Sequence, residues 1–295
     1  MKTVVVIYGP TAVGKSSIAI ELAKMINGEI ISADSMQIYK RLNIGSAKVT
    51  KEEMQGIPHH LIDFKEPEED YSVSEFCKDA KMCIEQIIES NHVPIVVGGT
   101  GLYIKGLTEG YNFSNTEKNK QFRDSLNELS NEQIYEKIEK LEPNIEIDKN
   151  NRRRLVRALE KLTFGEKAIS TVSEEYTFKM FAILDDRQKI YSRINARVDN
   201  MAKNGLIDEA KFLLDSNFPE NNQAIKAIGY KELFPYLKGE KTLEDCLEIL
   251  KQKTRNYAKR QITFLNQFDN ITIVNFIGVY ETAKEIYKNL EDNNE

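Results

Sequence analysis

The chain is poor in cysteine, lacks tryptophan and has no long apolar segment. Its three cysteines, Cys77, Cys83 and Cys246, form no C-x-x-C pair, which argues against a disulfide framework or a zinc site of the usual spacing. No apolar stretch approaches the roughly 20 residues of a membrane-spanning helix. Strand-forming residues begin almost at the first position, so we expect no signal peptide and a cytoplasmic protein with reduced thiols.

An excess of basic residues is also missing. The chain has 41 Lys and Arg against 46 Asp and Glu, a formal net charge of −5, which argues against nucleic-acid binding by bulk electrostatics. Any such contact must therefore come from a local basic patch. Residues 152–157 (RRRLVR) are one, and their density favours phosphate binding over the alternative of a solvated helix face.

The most informative feature present is the phosphate-loop pattern G-x-x-x-x-G-K-[ST]. Residues 9–16 (GPTAVGKS) fit it, with an apolar, strand-like run before them and helical apolar spacing after them. In that setting, backbone N–H groups and a helix N-terminus converge on one spot and bind a polyphosphate. Lys15 would reach the terminal phosphate oxygens and the Ser16 hydroxyl would hold Mg²⁺. The pattern leaves open which polyphosphate is bound.

Strand and helix signals alternate up to about residue 110. This alternation predicts an α/β fold: a P-loop-containing parallel sheet flanked by helices, with an apolar strand returning at 180–184. Polar, helix-forming segments lie before that strand and predict a helical insertion domain. We expect a core of residues 1–112 and 182–295, and an insertion at 113–181.

The acidic residue that most NTPases place at the end of a strand, to hold Mg²⁺ through water, is absent after the strand at 95–97. That strand ends in GGTG (98–101), and Asp63 is only a weak substitute, which disfavours an ATP-hydrolysing motor. The glycines fit a tight turn and, equally, the close approach of a substrate to the edge of the sheet.

Asp34 follows the second predicted strand. Open α/β sheets bind ligands at the carboxyl ends of their strands, so Asp34 should face the same crevice as the phosphate loop. A carboxylate there is able to accept a proton from an attacking nucleophile. The alternative, favoured for this residue alone, is a helix cap; Ser35 is a second candidate for that cap and would leave Asp34 free.

Two pairs of side chains have competing interpretations. His59 and His60 are adjacent and point in different directions in most backbones, so a structural turn is favoured over a metal site. Arg193 and Arg197 are one helical turn apart and would close over a diphosphate held at Lys15. A surface ion-pair network with a nearby aspartate is the alternative for these arginines.

Together these motifs resemble the tRNA dimethylallyltransferase (isopentenyl-diphosphate:tRNA transferase) family over essentially the full chain. A phosphate loop alone is shared by many families, whereas the ordered set is specific. The chain departs from the family pattern at Ser16, where Thr is more usual, and at 263–266 (TFLN), which replaces an ending with Trp. Nothing resembles the zinc-finger extension of eukaryotic relatives, which implies a bacterial-type enzyme. The segments are GPTAVGKS (9–16), SADSMQIYK (32–40), NIGSAK (43–48), GIPHHLID (56–63), YSV (71–73), VGGTGLYI (97–104), RRLVRALE (153–160), AIGYKE (227–232) and YAKRQ (257–261).

The resemblance implies transfer of a dimethylallyl group from dimethylallyl diphosphate to N6 of adenosine 37 in tRNA. The phosphate loop would hold the leaving diphosphate, with Mg²⁺ as cofactor at Ser16. Asp34 matches the general base, and Thr11, Lys15 and Arg197 would stabilise the departing diphosphate. The residues implied in diphosphate binding are Gly9, Pro10, Thr11, Ala12, Val13, Gly14, Lys15 and Ser16.

Contacts with the anticodon stem-loop are implied as well. The adenine must leave the base stack to enter the crevice. We expect the protein to work as a monomer without a membrane partner. The residues implied around the adenine are Asp34, Ser35, Met36, Gln37 and Thr100, and those implied at the RNA backbone or neighbouring bases are Arg123, Arg153, Arg154, Arg157, Lys226, Gly229, Tyr230 and Lys231.

Two other classes of function are open at this point. A P-loop small-molecule kinase would bind ATP in the same loop and use Asp34 as the base for a hydroxyl. It would have no need for the arginine patch. A non-catalytic tRNA-binding protein would leave Lys15 and Asp34 without a role.

Overall fold

Two units divide the chain in the computed structural model, which describes residues 2–109, 120–164, 176–219 and 222–292. The larger unit comprises Met1–Glu109 and Ser173–Glu295, and the smaller comprises Gly110–Val172. The smaller unit therefore interrupts the larger one along the chain. The predicted range 113–181 ends too late, because residues 176–181 belong to a strand of the larger unit.

A parallel sheet forms the centre of the larger unit. Within the described residues it has six strands in the order β3-β2-β4-β1-β5-β6, so the predicted α/β class is confirmed. The shortest strands, β3 and β6, were not predicted, because neither is long enough to give a periodic signal. The strands are β1 (Lys2–Tyr8), β2 (Gly28–Ser32), β3 (His59–His60), β4 (Val93–Gly98), β5 (Tyr176–Leu184) and β6 (Thr272–Asn275).

Strand β5 begins earlier than the sequence predicts. It pairs with β1 from Tyr176 onward, whereas β6 pairs only with its last residues, Phe181 to Leu184. The first half of β5 is therefore half-exposed and accommodates Thr177 and Lys179. These polar residues break the apolar run on which the prediction relied.

Helices cover the sheet and make up the smaller unit. Helix α3 begins with a capping box, in which Ser72 and Glu75 satisfy each other's backbone N–H groups. No described helix combines the length and apolar character needed to cross a membrane. The helices are α1 (Lys15–Ile26), α2 (Lys51–Met54), α3 (Val73–Glu89), α4 (Gly101–Glu109), α5 (Lys120–Ser125), α6 (Asn131–Leu141), α7 (Arg152–Phe164), α8 (Arg187–Lys203), α9 (Leu206–Asp215), α10 (Phe234–Leu237), α11 (Leu243–Phe264) and α12 (Val279–Glu291).

Each unit has its own apolar core. In the larger unit, buried residues of β1, β4 and β5 pack against α1, α8 and α12. In the smaller unit, helices α6 and α7 contribute most of a compact cluster. The smaller unit can therefore bury an apolar core of its own. Its buried members are Leu126, Ile134, Ile138, Leu155 and Leu159.

Candidate active site

The phosphate-loop residues 9–16 follow β1 and end in the first turn of α1, in the predicted order of strand, loop and helix. Gly14 is the N-cap residue of α1 and has no side chain to cap the N–H groups of the first helical turn. Such uncapped N–H groups, at the positive end of the helix dipole, are suited to an anion. The Lys15 ammonium donates to the Pro10 carbonyl at 2.8 Å, a hydrogen bond between two residues of the loop that stabilises its conformation. The local geometry fits a polyphosphate.

Two cationic side chains near this loop, Lys15 and Arg197, are half-buried. Burial lowers the pKa of Lys15 to about 7; the Asp34 carboxylate opposes this change and the Arg197 guanidinium adds to it. Burial likewise lowers the pKa of Arg197, against the opposing charges of Glu53 and Asp34. Because a bound anion would favour the charged form of both side chains, this environment favours diphosphate binding.

The arginines of α8 have different partners. The Arg197 guanidinium lies 3.4 Å from the Thr11 hydroxyl, to which it donates. Arg193, one turn earlier, forms an ion pair with Asp185 and donates to the Ala12 carbonyl at 3.4 Å. The structure therefore brings Arg197 to the loop as predicted. Arg193 also contacts the loop, through the Ala12 carbonyl, but its charge is paired with Asp185.

Asp34 follows β2 and performs the turn-capping role that the sequence left open. Its Oδ1 accepts the N–H groups of Met36 at 2.8 Å and Gln37 at 3.3 Å, so Asp34, and not Ser35, caps this turn. No described residue donates a hydrogen bond to its Oδ2. Burial raises the pKa of Asp34, opposed by those two N–H groups and by Lys15 and Arg197. Asp34 is therefore able to cap the turn through Oδ1 and to accept a proton at Oδ2.

Gln261 and Tyr257 of α11 reach the site, although no pattern in the sequence indicates a role for either residue. Gln261 accepts the Thr11 N–H at 2.8 Å and donates to the Gly99 carbonyl at 2.9 Å. A Cβ at Gly99 would lie 2.1 Å from the Gln261 amide nitrogen, so glycine is needed for this approach. Burial, followed by the Asp34 charge, raises the pKa of Tyr257 to about 12, while side-chain hydrogen bonds with Thr100 and Gln261 oppose the rise.

Two adjoining cavities lie along this crevice. The phosphate-loop cavity, of about 140 Å³, is lined by Gln37, Gln261 and five of the eight predicted loop residues: Thr11, Ala12, Gly14, Lys15 and Ser16. The other three, Gly9, Pro10 and Val13, are buried and do not line the cavity. The apolar cavity, of about 320 Å³, has several aliphatic side chains in its wall, among them Ile194. The residues that line both cavities mark their boundary: Thr11, Asp34, Ser46, Ala47, Arg197 and Tyr257.

The other predicted site residues of the larger unit lie in the apolar cavity, beside the site or outside it. Thr100 lies beside the site, where its hydroxyl accepts the Ser35 N–H at 3.2 Å. Lys231 is exposed at the start of a short 3-10 helix, outside the lining of both cavities. The predicted residues that line the apolar cavity, besides those on the boundary, are Ser35, Met36, Lys226, Gly229 and Tyr230.

The predicted RNA-contacting arginines of the smaller unit differ in their surroundings. Arg123 and Arg157 both bind the buried carboxylate of Glu160, each at 2.7 Å. Burial alone would raise the pKa of Glu160, but hydrogen bonds and charges from these arginines lower it. Arg153 and Arg154 are exposed. Two of the four arginines therefore stabilise the unit itself through their ion pairs with Glu160.

The imidazole pair and Asp63 lie outside both cavities. His59 and His60 form strand β3, and His60 contacts the Glu29 carboxylate at 2.6 Å. The predicted turn is therefore an edge strand. Asp63 forms an ion pair with Lys48 at 2.5 Å. No group of three His, Cys, Asp or Glu side chains suited to a metal occurs in the described ranges.

Comparison with known proteins gives relatives over nearly the whole chain. The tRNA dimethylallyltransferase of Streptococcus thermophilus (strain ATCC BAA-250 / LMG 18311) is 49% identical over 285 residues, which cover 95% of this chain and 92% of that protein. The protein of the same name from Thermoanaerobacter sp. (strain X514) is 45% identical over 302 residues, covering 97% of this chain and 96% of that protein.

The chain is also similar to solved structures of enzymes of the same kind. The tRNA isopentenylpyrophosphate transferase of Bacillus halodurans has a TM-score of 0.77 and 38% identity, and the match covers 99% of this chain and 96% of that one. A eukaryotic dimethylallyltransferase acting on tRNA has a TM-score of 0.80 and 31% identity, with coverage of 93% and 74%. A family model described as IPP transferase matches residues 37–268. The chain therefore belongs to the IPP transferase family.

Proposed function

We propose that this protein transfers a dimethylallyl group from dimethylallyl diphosphate to N6 of adenosine 37 in the anticodon stem-loop of tRNA and releases diphosphate. One observation carries the proposal. A small cavity built for an anion adjoins a larger apolar one, and Asp34 and Arg197 lie on their shared boundary. An allyl diphosphate has the same division between an anionic and an apolar end. The acceptor would meet it at this boundary.

The phosphate-loop cavity would hold the leaving group. As the allylic C–O bond breaks, its electron pair leaves with the diphosphate, so the growing negative charge needs fixed positive charge nearby. Lys15 and Arg197 provide that charge, and Thr11 adds a hydroxyl. Family membership favours this reaction over the kinase alternative, in which ATP would occupy the loop.

Mg²⁺ fits the donor set of the phosphate-loop cavity. The Ser16 hydroxyl and the Asp34 carboxylate line it, and Mg²⁺ commonly combines few protein ligands with phosphate oxygens and water. Ser16 would hold the ion, which would neutralise charge on the diphosphate oxygens. The protein side chains would position the diphosphate and keep it out of bulk water.

Asp34 would accept the proton from the N6 amine as the new N–C bond forms. Its pKa is raised by burial, which makes the carboxylate a stronger base than an exposed aspartate. The turn hydrogen bonds at Oδ1 would keep the side chain in place. The adenine would leave its stack and enter beside Ser35 and Met36. Gln37 and Thr100 would complete its surroundings.

The exposed arginines of the smaller unit, Arg153 and Arg154, would contribute phosphate contacts with tRNA. Arg123 and Arg157 would add to them from their ion pairs with Glu160. Lys226, Gly229, Tyr230 and Lys231 would meet RNA from the larger unit. Because its substrate is tRNA, we place the reaction in the cytoplasm, with the protein acting as a monomer.

One experiment separates transfer from the kinase alternative. The protein is incubated with tRNA and Mg²⁺, and with either dimethylallyl diphosphate or ATP, before nucleosides are analysed by mass. We expect a dimethylallyl adenosine only with the allyl donor. Phosphate transfer from ATP at ordinary enzymatic rates would support a kinase and contradict the proposal.

A further inference from the structure

Glu209, in the first turn of α9, holds a loop of the active site without lining either cavity. Its Oε1 accepts the N–H groups of Asn43 at 2.7 Å and Ile44 at 2.8 Å. Its Oε2 accepts the Gly45 N–H and the Tyr230 hydroxyl, both at 3.0 Å. An ionised carboxylate accepts about four hydrogen bonds, so these donors saturate it.

The loop that Glu209 holds, residues 43–47, forms part of the wall of both cavities. Ser46 and Ala47 lie on their boundary. The Ala47 carbonyl accepts the Gln37 side-chain amide at 3.1 Å, and the Gln37 N–H is held by Asp34. Hydrogen bonds at its two ends and the backbone of loop 43–47 between them therefore connect Glu209 to the turn that carries the proposed base.

Tyr230 joins this loop to a second wall of the apolar cavity. Its side chain is buried, and a Cβ at Gly45 would lie 2.5 Å from its ring, so the ring packs directly on the glycine backbone. Burial raises the pKa of Tyr230, and the Glu209 charge raises it further, against the N–H groups of Ser46 and Gly45. The hydroxyl therefore stays protonated and remains a donor to Glu209.

We infer that Glu209 is a positioning residue for the transfer step, which fixes loop 43–47 and Tyr230 around the boundary where donor and acceptor meet. This inference rests on the proposed function. A displaced boundary would slow bond formation, since a misplacement of about 1 Å is able to cost on the order of 100-fold in rate. Most of the diphosphate affinity would remain, because Lys15 and Arg197, which supply positive charge to the phosphate-loop cavity, belong to α1 and α8 and not to loop 43–47.

Glu209→Gln tests the inference with little change in shape. The amide keeps one oxygen acceptor but turns an NH₂ group toward a donor, so it cannot satisfy all of the present hydrogen bonds. Asp208→Asn is the matched control: it neutralises an exposed acid in the same helical turn. Tyr230→Phe is a second variant that removes a single donor and keeps the ring.

The readout is the single-turnover rate of prenyl transfer with saturating enzyme and allyl diphosphate, together with the Kd of dimethylallyl diphosphate. At saturation this rate does not depend on the fraction of folded enzyme, so a general loss of stability would leave it unchanged. We expect Glu209→Gln to lower the rate by about 10- to 100-fold, with a distinctly smaller rise in the Kd of dimethylallyl diphosphate. Tyr230→Phe should give a smaller loss, and Asp208→Asn none.

A wild-type single-turnover rate in Glu209→Gln would overturn the inference, as would a loss that Asp208→Asn shares. If Glu209→Gln does not fold, Tyr230→Phe decides: a wild-type rate in that variant rejects the inference. Failure of the proposed function is distinct, because the wild-type protein itself would then transfer no dimethylallyl group.

Discussion

The side-chain amide of Gln261 accepts the backbone N–H of Thr11 at 2.8 Å, although 250 positions separate the two residues in the chain. The same amide donates to the Gly99 carbonyl at 2.9 Å, and the Gln261 backbone carbonyl accepts the Tyr8 hydroxyl at 2.6 Å. One buried residue of α11 thereby joins the phosphate loop, the loop after β4 and the end of β1. The shape of the diphosphate site depends on this long-range contact.

Gln261→Ala should weaken both the fold and the catalytic site. The Thr11 N–H and the Gly99 carbonyl would lose their partner, at a cost of about 1–3 kcal/mol for each buried group left unsatisfied. We expect a lower melting temperature and a higher KM for dimethylallyl diphosphate. Gln267→Ala, at an exposed position just after α11, is the control. Equal KM values for the two variants would show that Gln261 does not shape the site.

Asp34→Asn should separate the turn cap from the general base. The Asn oxygen is able to accept the same two N–H groups, so stability and tRNA affinity should stay near those of the wild type. Loss of a positioned proton acceptor should lower kcat by about 10²- to 10⁴-fold. Steady-state kinetics and thermal melting check this. A near-normal kcat in the Asn variant would show that Asp34 only caps the turn and is not the general base.

The parts of the site that the sequence predicted are local. A strand, a glycine loop and a helix occur in order around Lys15, and Asp34 comes directly after a strand, so short-range pattern rules place them. Gln261 and Glu209 act across long separations, and no pattern near either residue indicates its partner. Similarly, the arginine run indicated a charged helix, but only the fold shows that Arg157 binds a buried Glu160.

Diphosphate binding should depend on pH through Lys15. In the enzyme without ligand, burial lowers the pKa of Lys15 to about 7. A bound anion favours the protonated form of this side chain, so diphosphate binding above that pH is accompanied by uptake of a proton. Affinity should therefore fall as the pH rises through that value. Calorimetry in buffers of different ionisation enthalpy measures the proton uptake.

Lys15→Arg is the control for this titration, because arginine keeps its charge over the whole range. We expect the variant to lack the lysine-dependent proton uptake, while titration of the diphosphate itself remains. Equal uptake by both proteins would show that Lys15 is already charged in the free enzyme.

Arg153→Gln with Arg154→Gln should weaken tRNA binding. Each phosphate contact that is lost should lower the salt dependence of log K by about one unit or less. Arg157 is kept, because its removal would disturb Glu160. Lys137→Gln with Lys140→Gln makes the same charge change on exposed positions of α6. If both double variants lose affinity alike, the arginines act only through the net charge of the unit.

The most direct test of the central claim uses two tRNA transcripts that differ only at position 37. Each is incubated with the protein, Mg²⁺ and dimethylallyl diphosphate, and its fragments are analysed by mass. We predict one dimethylallyl group on the fragment with adenosine 37, and none when guanosine replaces that base. No transfer to the adenosine transcript, or equal transfer to both transcripts, would contradict the account.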